Sequence, residues 1–215
     1  VTTKLPMLYS GRVCFMDTRT GRDIWGIPEE ALVSAGLVQL ARRYGMVSDV
    51  NGMSSDITRW DMQMGLEFMM TGLVPALAGA ESISGVGGGW EGASSLEMMV
   101  IGNEVFHDIS KLLQGFQVDD QTMGLDIIDK VGHMGGFLAE RHTMDNLRRG
   151  ELRISSLWDK RTSGRATKEG YKPIQETARD HVRKILKEHT PEPLDRDVVR
   201  AMDAVVNEAA ETLVR

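Results

Sequence analysis

The sequence has little cysteine, no excess of positive charge and no long apolar run. Its single cysteine, Cys14, has no partner for an internal disulfide, which is typical of a reducing compartment and indicates a cytoplasmic protein. The formal net charge is −6 and no basic stretch is interleaved with aromatic residues, which argues against nucleic-acid binding. No uninterrupted apolar run approaches the length of a membrane span, so no membrane association is predicted either.

Motifs for a metal site or a catalytic nucleophile are missing as well. No pair of histidines has a zinc spacing such as H-E-x-x-H, and no G-x-S-x-G turn is present. The segment that begins at His133 matches half of the D-x-H-x-x-G loop with which cobalamin carriers bind a corrinoid, but Val131 stands in place of its acid. We therefore expect no metal site, and no corrinoid held by this chain alone.

Apolar residues make up 41% of the 215 residues, which rules out a disordered chain and is enough for one sizeable core. Up to Gly115, a strand, a loop and a helix follow one another three times. The predicted strands cover residues 5–9, 46–50 and 81–86, and the predicted helices cover residues 28–44, 61–77 and 96–113. This order is typical of a parallel α/β fold. The predicted core-facing residues of the first helix are Leu32, Ala35, Gly36 and Leu40.

Beyond Gly115 the pattern becomes mostly helical. A short helix is predicted from Asp119, a polar surface loop at 152–170, and two amphipathic helices at 173–189 and 194–213. We therefore predict two domains, a β/α domain at 1–115 and a mostly helical extension at 116–215.

Three parallel strands alone would leave the edges of their sheet open. Either further β/α units precede Val1, or a second copy of the chain covers an edge in a homo-oligomer. Because residue 1 is valine and not methionine, the first explanation is favoured.

In parallel α/β proteins the chemistry lies at the carboxyl ends of the strands. The loops expected there contain Trp25, Trp60 and Trp90 together with carboxylates such as Asp56 and Glu91. Aromatic faces beside carboxylates suit a quaternary ammonium, which is attracted by both. Taken singly, each tryptophan could equally plug the mouth of the fold, and each charge could cap a loop or form a solvated ion pair.

The third loop also fits G-x-G-x-x-G through Gly87, Gly89 and Gly92, between a predicted strand and a predicted helix. An enzyme that uses a nucleotide cofactor, either NAD or SAM, is therefore an alternative. Against it, Glu91 would repel a pyrophosphate and Trp90 would crowd the close approach of the backbone.

Several short segments, in this order and spacing, resemble one known family. They are Met16–Gly21, Gly26–Glu29, Asp56 with Asp61–Gly65, Ala78–Ala80, Glu91-Gly92, Val118–Asp120, and Gly136–Leu138 with His142-Thr143. Together they resemble the C-terminal part of the trimethylamine and quaternary-amine:corrinoid methyltransferases, over nearly the whole chain.

The resemblance implies that residues 1–115 are the C-terminal β/α units of a TIM barrel. It implies an enzyme that moves a methyl group from a small methylated amine to the cobalt(I) of a corrinoid, which a separate carrier protein supplies. Relatives tend to have D-S-K-L-P-D where this chain has Asp56–Asp61, and the pyrrolysine of the trimethylamine branch is not written here. These departures favour a quaternary amine such as a betaine.

On this interpretation we predict seven substrate-binding residues. Tyr9, Trp60 and Trp90 would form an aromatic cage, and Asp56 and Glu91 would supply negative charge. Arg19 would hold a substrate carboxylate through its planar fork. His142 would be either a site residue or a structural histidine. A non-enzymatic betaine-binding module is the remaining alternative.

Overall fold

The computed structural model describes residues 5–57, 59–87 and 94–213, and the chain divides into two compact units, Val1–His181 and Val182–Arg215. The elements in chain order are β1 (Leu8–Gly11), β2 (Phe15–Met16), β3 (Asp23–Ile24), α1 (Pro28–Arg43), β4 (Val47–Asn51), α2 (Met62–Leu77), β5 (Ser82–Ser84), α3 (Leu96–Gln114), α4 (Asp120–Met123), α5 (Leu125–Val131), α6 (Arg141–Arg148), α7 (Ser163–Glu169), α8 (Ile174–Glu188) and α9 (Arg196–Leu213).

A parallel sheet of three strands, in the order β1-β4-β5, organises the first unit. Its register places Ser10 opposite Asp49, and Asp49 opposite Ser82. A helix follows each strand, so the α/β class predicted from the sequence is confirmed. The first strand begins later than predicted because its pairing with β4 starts only at Leu8.

The segment after β1 contains a small antiparallel hairpin of β2 and β3, in which Phe15 lies opposite Ile24. Its turn is closed by the amides of Thr20 and Gly21, which donate to the carbonyl of Asp17 at 3.1 and 2.7 Å. The sequence predicted only a polar loop here. The hairpin brings the chain back towards the sheet before α1 begins.

The ends of the three predicted helices follow local chemistry. Pro28 occupies the first turn of α1, where its missing amide costs nothing. Gly45, at φ +66°, closes the other end in the left-handed conformation that a glycine adopts freely. The carboxylate of Asp61 and the hydroxyl of Ser95 accept first-turn amides of α2 and α3 at 2.9 and 3.0 Å.

The face of α1 that is buried differs from the predicted one. Its buried members are Glu30, Ala31, Ser34, Val38 and Ala41. Leu32, which the sequence analysis placed in the core, is 67% exposed. Small side chains let α1 lie close against β4 and α2, the elements that it contacts most. Leu32 and Leu40 therefore lie on the exposed side of the helix.

The main hydrophobic core lies between α2, α3 and the loop after β4. Its buried members are Met53, Met64, Phe68, Ala76, Met98, Val105 and Ile109. A second cluster joins α3 to the later segments through Ile101, Leu157 and Ala178. The predicted polar surface loop at 152–170 was therefore wrong in part, because it buries Leu157 and contains α7.

Among the residues that the structure describes, no helix is both long enough and apolar enough to cross a lipid bilayer.

Candidate binding site at the carboxyl end of the sheet

Two loops can be followed at the carboxyl end of the sheet: residues 12–27 after β1 and residues 52–61 after β4, apart from position 58. The third loop, after β5, contains Trp90 and Glu91. Both of these predicted site residues lie outside the described residues.

The loop after β4 is anchored through three consecutive residues, which we call the Ser54–Asp56 tripeptide. The Ser54 hydroxyl donates to Glu30 of α1 at 2.6 Å, and the Ser55 hydroxyl donates to Glu67 of α2 at 2.5 Å. Asp56 accepts a 2.8 Å hydrogen bond at Oδ2 from the backbone amide of Trp25. The tripeptide is thus tied to two helices and to the neighbouring loop.

Glu30 is the central acceptor of this arrangement and is only 1% exposed. Its carboxylate accepts from the Gly26 amide at 2.6 Å, from the Asn51 side-chain amide at 2.9 Å and from the Ser54 hydroxyl at 2.6 Å. A buried carboxylate is stable only when such donors surround it. Glu30 therefore joins the two loops and the end of β4 into one hydrogen-bonded structure.

Gly26 has to be a glycine for two reasons. Its φ of +78° is left-handed, and a Cβ at this position would lie 2.7 Å from a carboxylate oxygen of Glu67. The close approach brings the β1–α1 loop against α2, which also bonds Ser55.

The Asp56 carboxylate is the most unusual group at this end of the sheet. Burial raises its pKa above the ordinary value, and the neighbouring charge of Asp23 adds to the rise, while the Trp25 amide and Arg22 oppose it. Its Oδ1 is buried and accepts no hydrogen bond from any residue in the described ranges. Such an oxygen gains most from a cation that binds beside it.

Trp25 lies between two carboxylates. Its backbone amide bonds Asp56, and its indole Nε1 donates to Asp23 at 2.7 Å. The sequence predicted such a combination of an indole ring with carboxylates around Trp60 and Trp90. Trp25 was named among the loop tryptophans in the sequence but not among the predicted cage residues, because nothing local distinguishes it from Trp60.

Arg19 lies in the turn of the β2–β3 hairpin, where its side chain is 86% exposed. It forms a two-pronged ion pair with Asp17 at 3.1 and 2.9 Å, and the Arg19 hydrogen bonds lower the pKa of Asp17 to about 2. The described structure therefore gives the Arg19 fork a partner within its own turn.

Tyr9 and Trp60 both pack towards helices. Tyr9 is half-buried beside Gly11, at a position that Leu37 of α1 also approaches. Trp60 packs against both hydrophobic clusters and lines a cavity of about 220 Å³ together with Phe68 and other apolar residues. The contacts of these two rings are those of packing residues.

His142 stabilises the helical segment after α3. A nitrogen of its ring lies 2.8 Å from the Gln121 carbonyl, and Asn146 on the same helix contacts the ring at 3.2 Å. These bonds tie α6 to α4. His142 is therefore bonded within the helical segment after α3, and none of its described hydrogen bonds goes to the Ser54–Asp56 tripeptide.

A polar row on the sheet escaped the sequence analysis. Asp49 accepts hydrogen bonds from Ser10 at 3.0 Å, from Ser82 at 2.8 Å and from Arg12 at 2.8 Å. Burial tends to raise the pKa of Asp49, but the bonds from Ser82 and Ser10 and the charge of Arg12 hold it below the ordinary value. Only the strand register shows that these residues are neighbours.

The residues around His133 do not fit a corrinoid. His133 is exposed in the bend after α5, and the position of the carrier's acid is occupied by Val131, an apolar residue at the end of that helix. No group of three or more potential metal ligands occurs in the part of the chain that the structure describes.

The fold and the site define an α/β protein that gathers carboxylates and an indole where its parallel strands end. The family model for trimethylamine methyltransferase (MTTB) matches residues 1–213, and the chain belongs to this family. This confirms the resemblance found in the sequence.

Individual relatives support the same assignment. The chain is 35% identical over 202 residues to trimethylamine methyltransferase MttB of Methanosarcina barkeri, covering 94% of this chain and 40% of the relative. It is 32% identical over 207 residues to MttB of Desulfitobacterium hafniense, covering 96% and 41%. It is 30% identical over 205 residues to a glycine betaine methyltransferase of D. hafniense, covering 94% and 42%. The chain thus spans about 40% of the length of the curated relatives it matches.

Proposed function

We propose that the protein is a methyltransferase that takes a methyl group from a small quaternary amine. The methyl acceptor is cobalt(I) of a corrinoid, bound to a separate carrier protein that acts as a second substrate. The three β/α units are proposed to belong to a TIM barrel, with the amine held where the strands end. Family membership supports the reaction class, since the relatives are named as trimethylamine and glycine betaine methyltransferases.

The observation that carries the choice of a cationic substrate is Oδ1 of Asp56, which is buried and accepts no hydrogen bond from any residue that the structure describes. A quaternary ammonium has a positive charge but no N–H donor, so it can neutralise a buried carboxylate without directed hydrogen bonds. Trp25 and Asp23 lie beside this carboxylate and add an aromatic surface and a second negative charge. The same surroundings would hold a protonated tertiary amine, whose methyl transfer would likewise release a neutral amine. The preference for a quaternary amine therefore rests on the sequence, which departs from the trimethylamine branch at Asp56–Asp61.

In the proposed step, the cobalt(I) electron pair forms the bond to the methyl carbon. The electron pair of the broken C–N bond stays on nitrogen, and the amine leaves neutral. No proton moves, so the protein needs no general acid. The task of Asp56, Asp23 and Trp25 is to bind and orient the ammonium, so that one methyl group faces the acceptor. The tripeptide's anchors hold Asp56 in place for this.

Methylation of cob(I)alamin that depends on glycine betaine tests the proposal, and the loss of cobalt(I) absorbance is the measurement. We expect turnover with the wild type. For Asp56→Asn we expect about tenfold weaker binding of the amine, because a charge-assisted contact is lost. Asp126→Asn, which changes an exposed carboxylate on α5, is the matched control and should bind like the wild type.

Other outcomes would decide between the alternatives. Tight betaine binding without any methyl transfer, to free or carrier-bound cobalamin, would identify a binding module. Saturable binding of NAD or SAM would favour the nucleotide enzyme. Gly87 itself does not require a cofactor, because its φ is +82° and a Cβ there would meet Met99 of α3 at 2.4 Å. Its glycine is therefore explained by packing.

A further inference from the structure

The side chains of the sheet differ on its two faces. Tyr9 and Gly11 lie towards Leu37 of α1, so the alternation of a strand puts Ser10 on the opposite face. There Ser10 and Ser82 donate to the two oxygens of Asp49 from the strands on either side. The face away from α1 therefore has a polar row across all three strands.

Arg12 follows β1 directly and reaches back onto this row. Its Nη2 donates to Oδ2 of Asp49 at 2.8 Å, and half of its side chain remains exposed. A guanidinium has five N–H donors in a fixed planar fork. Within residues 5–57, 59–87 and 94–213, its one side-chain acceptor is Asp49. Most of the fork thus has no partner among the described residues, at the end of the sheet where the proposed amine binds.

Asp49 does not depend on Arg12 alone. The hydroxyls of Ser10 and Ser82 each supply a hydrogen bond, one to each carboxylate oxygen. A second carboxylate could therefore approach the open side of the guanidinium without leaving Asp49 unpaired. Two carboxylates that share one arginine are stable when other donors hold one of them.

We propose that Arg12 binds the carboxylate of the substrate, and that the substrate is consequently a zwitterion with a carboxylate a few bonds from its quaternary nitrogen. This inference rests on the proposed function and narrows its substrate class to betaines. Arg12 follows β1, and Asp56 lies in the loop after the adjacent strand β4, so the two charges are at the same end of neighbouring strands. Arg19, which the sequence favoured for this role, is instead paired with Asp17.

Calorimetric titration with glycine betaine and with choline tests the inference. Choline has the same trimethylammonium group, but a hydroxyl in place of the carboxylate. For Arg12→Gln we expect the affinity for betaine to fall about ten- to hundredfold, and the affinity for choline to change less than about twofold. Arg43→Gln, which alters an exposed arginine at the end of α1, should leave both affinities unchanged.

Arg12→Lys is the second variant. It keeps the positive charge beside Asp49 but loses the planar fork, so it should weaken betaine binding while the fold and the choline affinity are retained. Thermal melts of both variants establish that they are folded.

The results separate the two proposals. If betaine and choline both bind the wild type, but neither Arg12 variant weakens betaine, the assignment of Arg12 is wrong and the proposed function stands. A loss of betaine affinity in Arg19→Gln, with none in Arg12→Gln, would also overturn it. If the wild type binds neither ligand, the proposed function itself fails, and the inference fails with it.

Discussion

The backbone amide of Trp25 holds Oδ2 of Asp56 at 2.8 Å, while Oδ1 of the same carboxylate is buried and accepts no hydrogen bond within the described ranges. One oxygen therefore fixes the position of the carboxylate, and the other is left without a partner among the described residues. A binding group needs both properties, and they arise here from two loops that the strand order places side by side.

The first prediction concerns the pH dependence of amine binding. Because burial raises the pKa of Asp56, its carboxylate becomes neutral at a higher pH than an ordinary aspartate does. The affinity for a quaternary ammonium should therefore fall as the pH is lowered through this raised pKa. Titrations over a pH series measure it, and Asp56→Asn should show a weaker and flatter profile. A wild-type profile as flat as that of the variant would remove Asp56 from the site.

The same raised pKa predicts a change in stability with a definite sign. A carboxyl whose pKa is higher in the folded than in the unfolded protein favours folding while it is protonated, and this contribution is lost as the pH rises through the folded value. Raising the pH should therefore lower the unfolding free energy of the wild type relative to that of Asp56→Asn. Denaturant melts at several pH values measure the difference.

Glu30 provides the next prediction. Glu30→Gln replaces one acceptor oxygen by a donor, so at least one of the three donors around it loses its partner inside the protein. We expect about 2–3 kcal/mol of destabilisation, and a melting temperature lower by roughly 4–12 °C. Glu29→Gln changes the adjacent, exposed carboxylate and should cost less than about 1 kcal/mol. Equal effects in both variants would mean that the Glu30 contacts add nothing beyond helix electrostatics.

Two glycines allow backbone strain to be separated from crowding. Gly21 and Gly26 have similar φ values of +73° and +78°, but only Gly26 has a neighbour, Glu67, where a Cβ would lie. Gly21→Ala should cost about 1–2 kcal/mol from the left-handed backbone alone. Gly26→Ala should cost about 1–3 kcal/mol more, because Glu67 has to move away. Denaturant unfolding measures both, and a smaller loss for Gly26→Ala would contradict the close approach.

The ion pair in the hairpin turn predicts a measurable titration. The Asp17 carboxyl should titrate with a pKa of about 2, and Arg19→Gln should return the pKa towards its ordinary value of about 3.8. Any stabilisation by this pair is present above the unfolded pKa and is lost as the pH falls through the folded one. Since the Arg19 side chain is 86% exposed, solvent screens the pair and its effect on stability should be small. Carbon-detected NMR of the side-chain carboxyl follows the titration directly.

Local signals in the sequence located the helices well. Pro28, Asp61 and Ser95 each mark a helix start by a mechanism that acts within a few residues, and the structure confirms all three. Pro75 is different: a proline inside a helix normally ends or kinks it, yet α2 runs through it to Leu77. Packing compensated there, since Pro75 is buried.

What could not be predicted depends on partners distant in the sequence. The prediction of the buried face of α1 was wrong. Hydrophobicity favoured Leu32 for the core, whereas close packing against β4 and α2 favours alanine and serine. Leu157 looked like part of a polar loop until its contacts with Ile101 and Ala178 were known. The same reason applies to the candidate site: Asp56 could be proposed from its loop alone, whereas the contacts of Trp25, Glu30 and Arg12 become visible only once β1 is paired with β4.

The anchoring of the Ser54–Asp56 tripeptide affects the thermodynamics of binding. Two helices and one neighbouring loop hold it, so its conformational entropy is lost when the protein folds and not when a ligand arrives. A ligand that binds Asp56 therefore meets a preorganised carboxylate. Cutting one anchor, as in Ser55→Ala, should then make the entropy of amine binding more unfavourable even though Ser55 itself need not contact the amine.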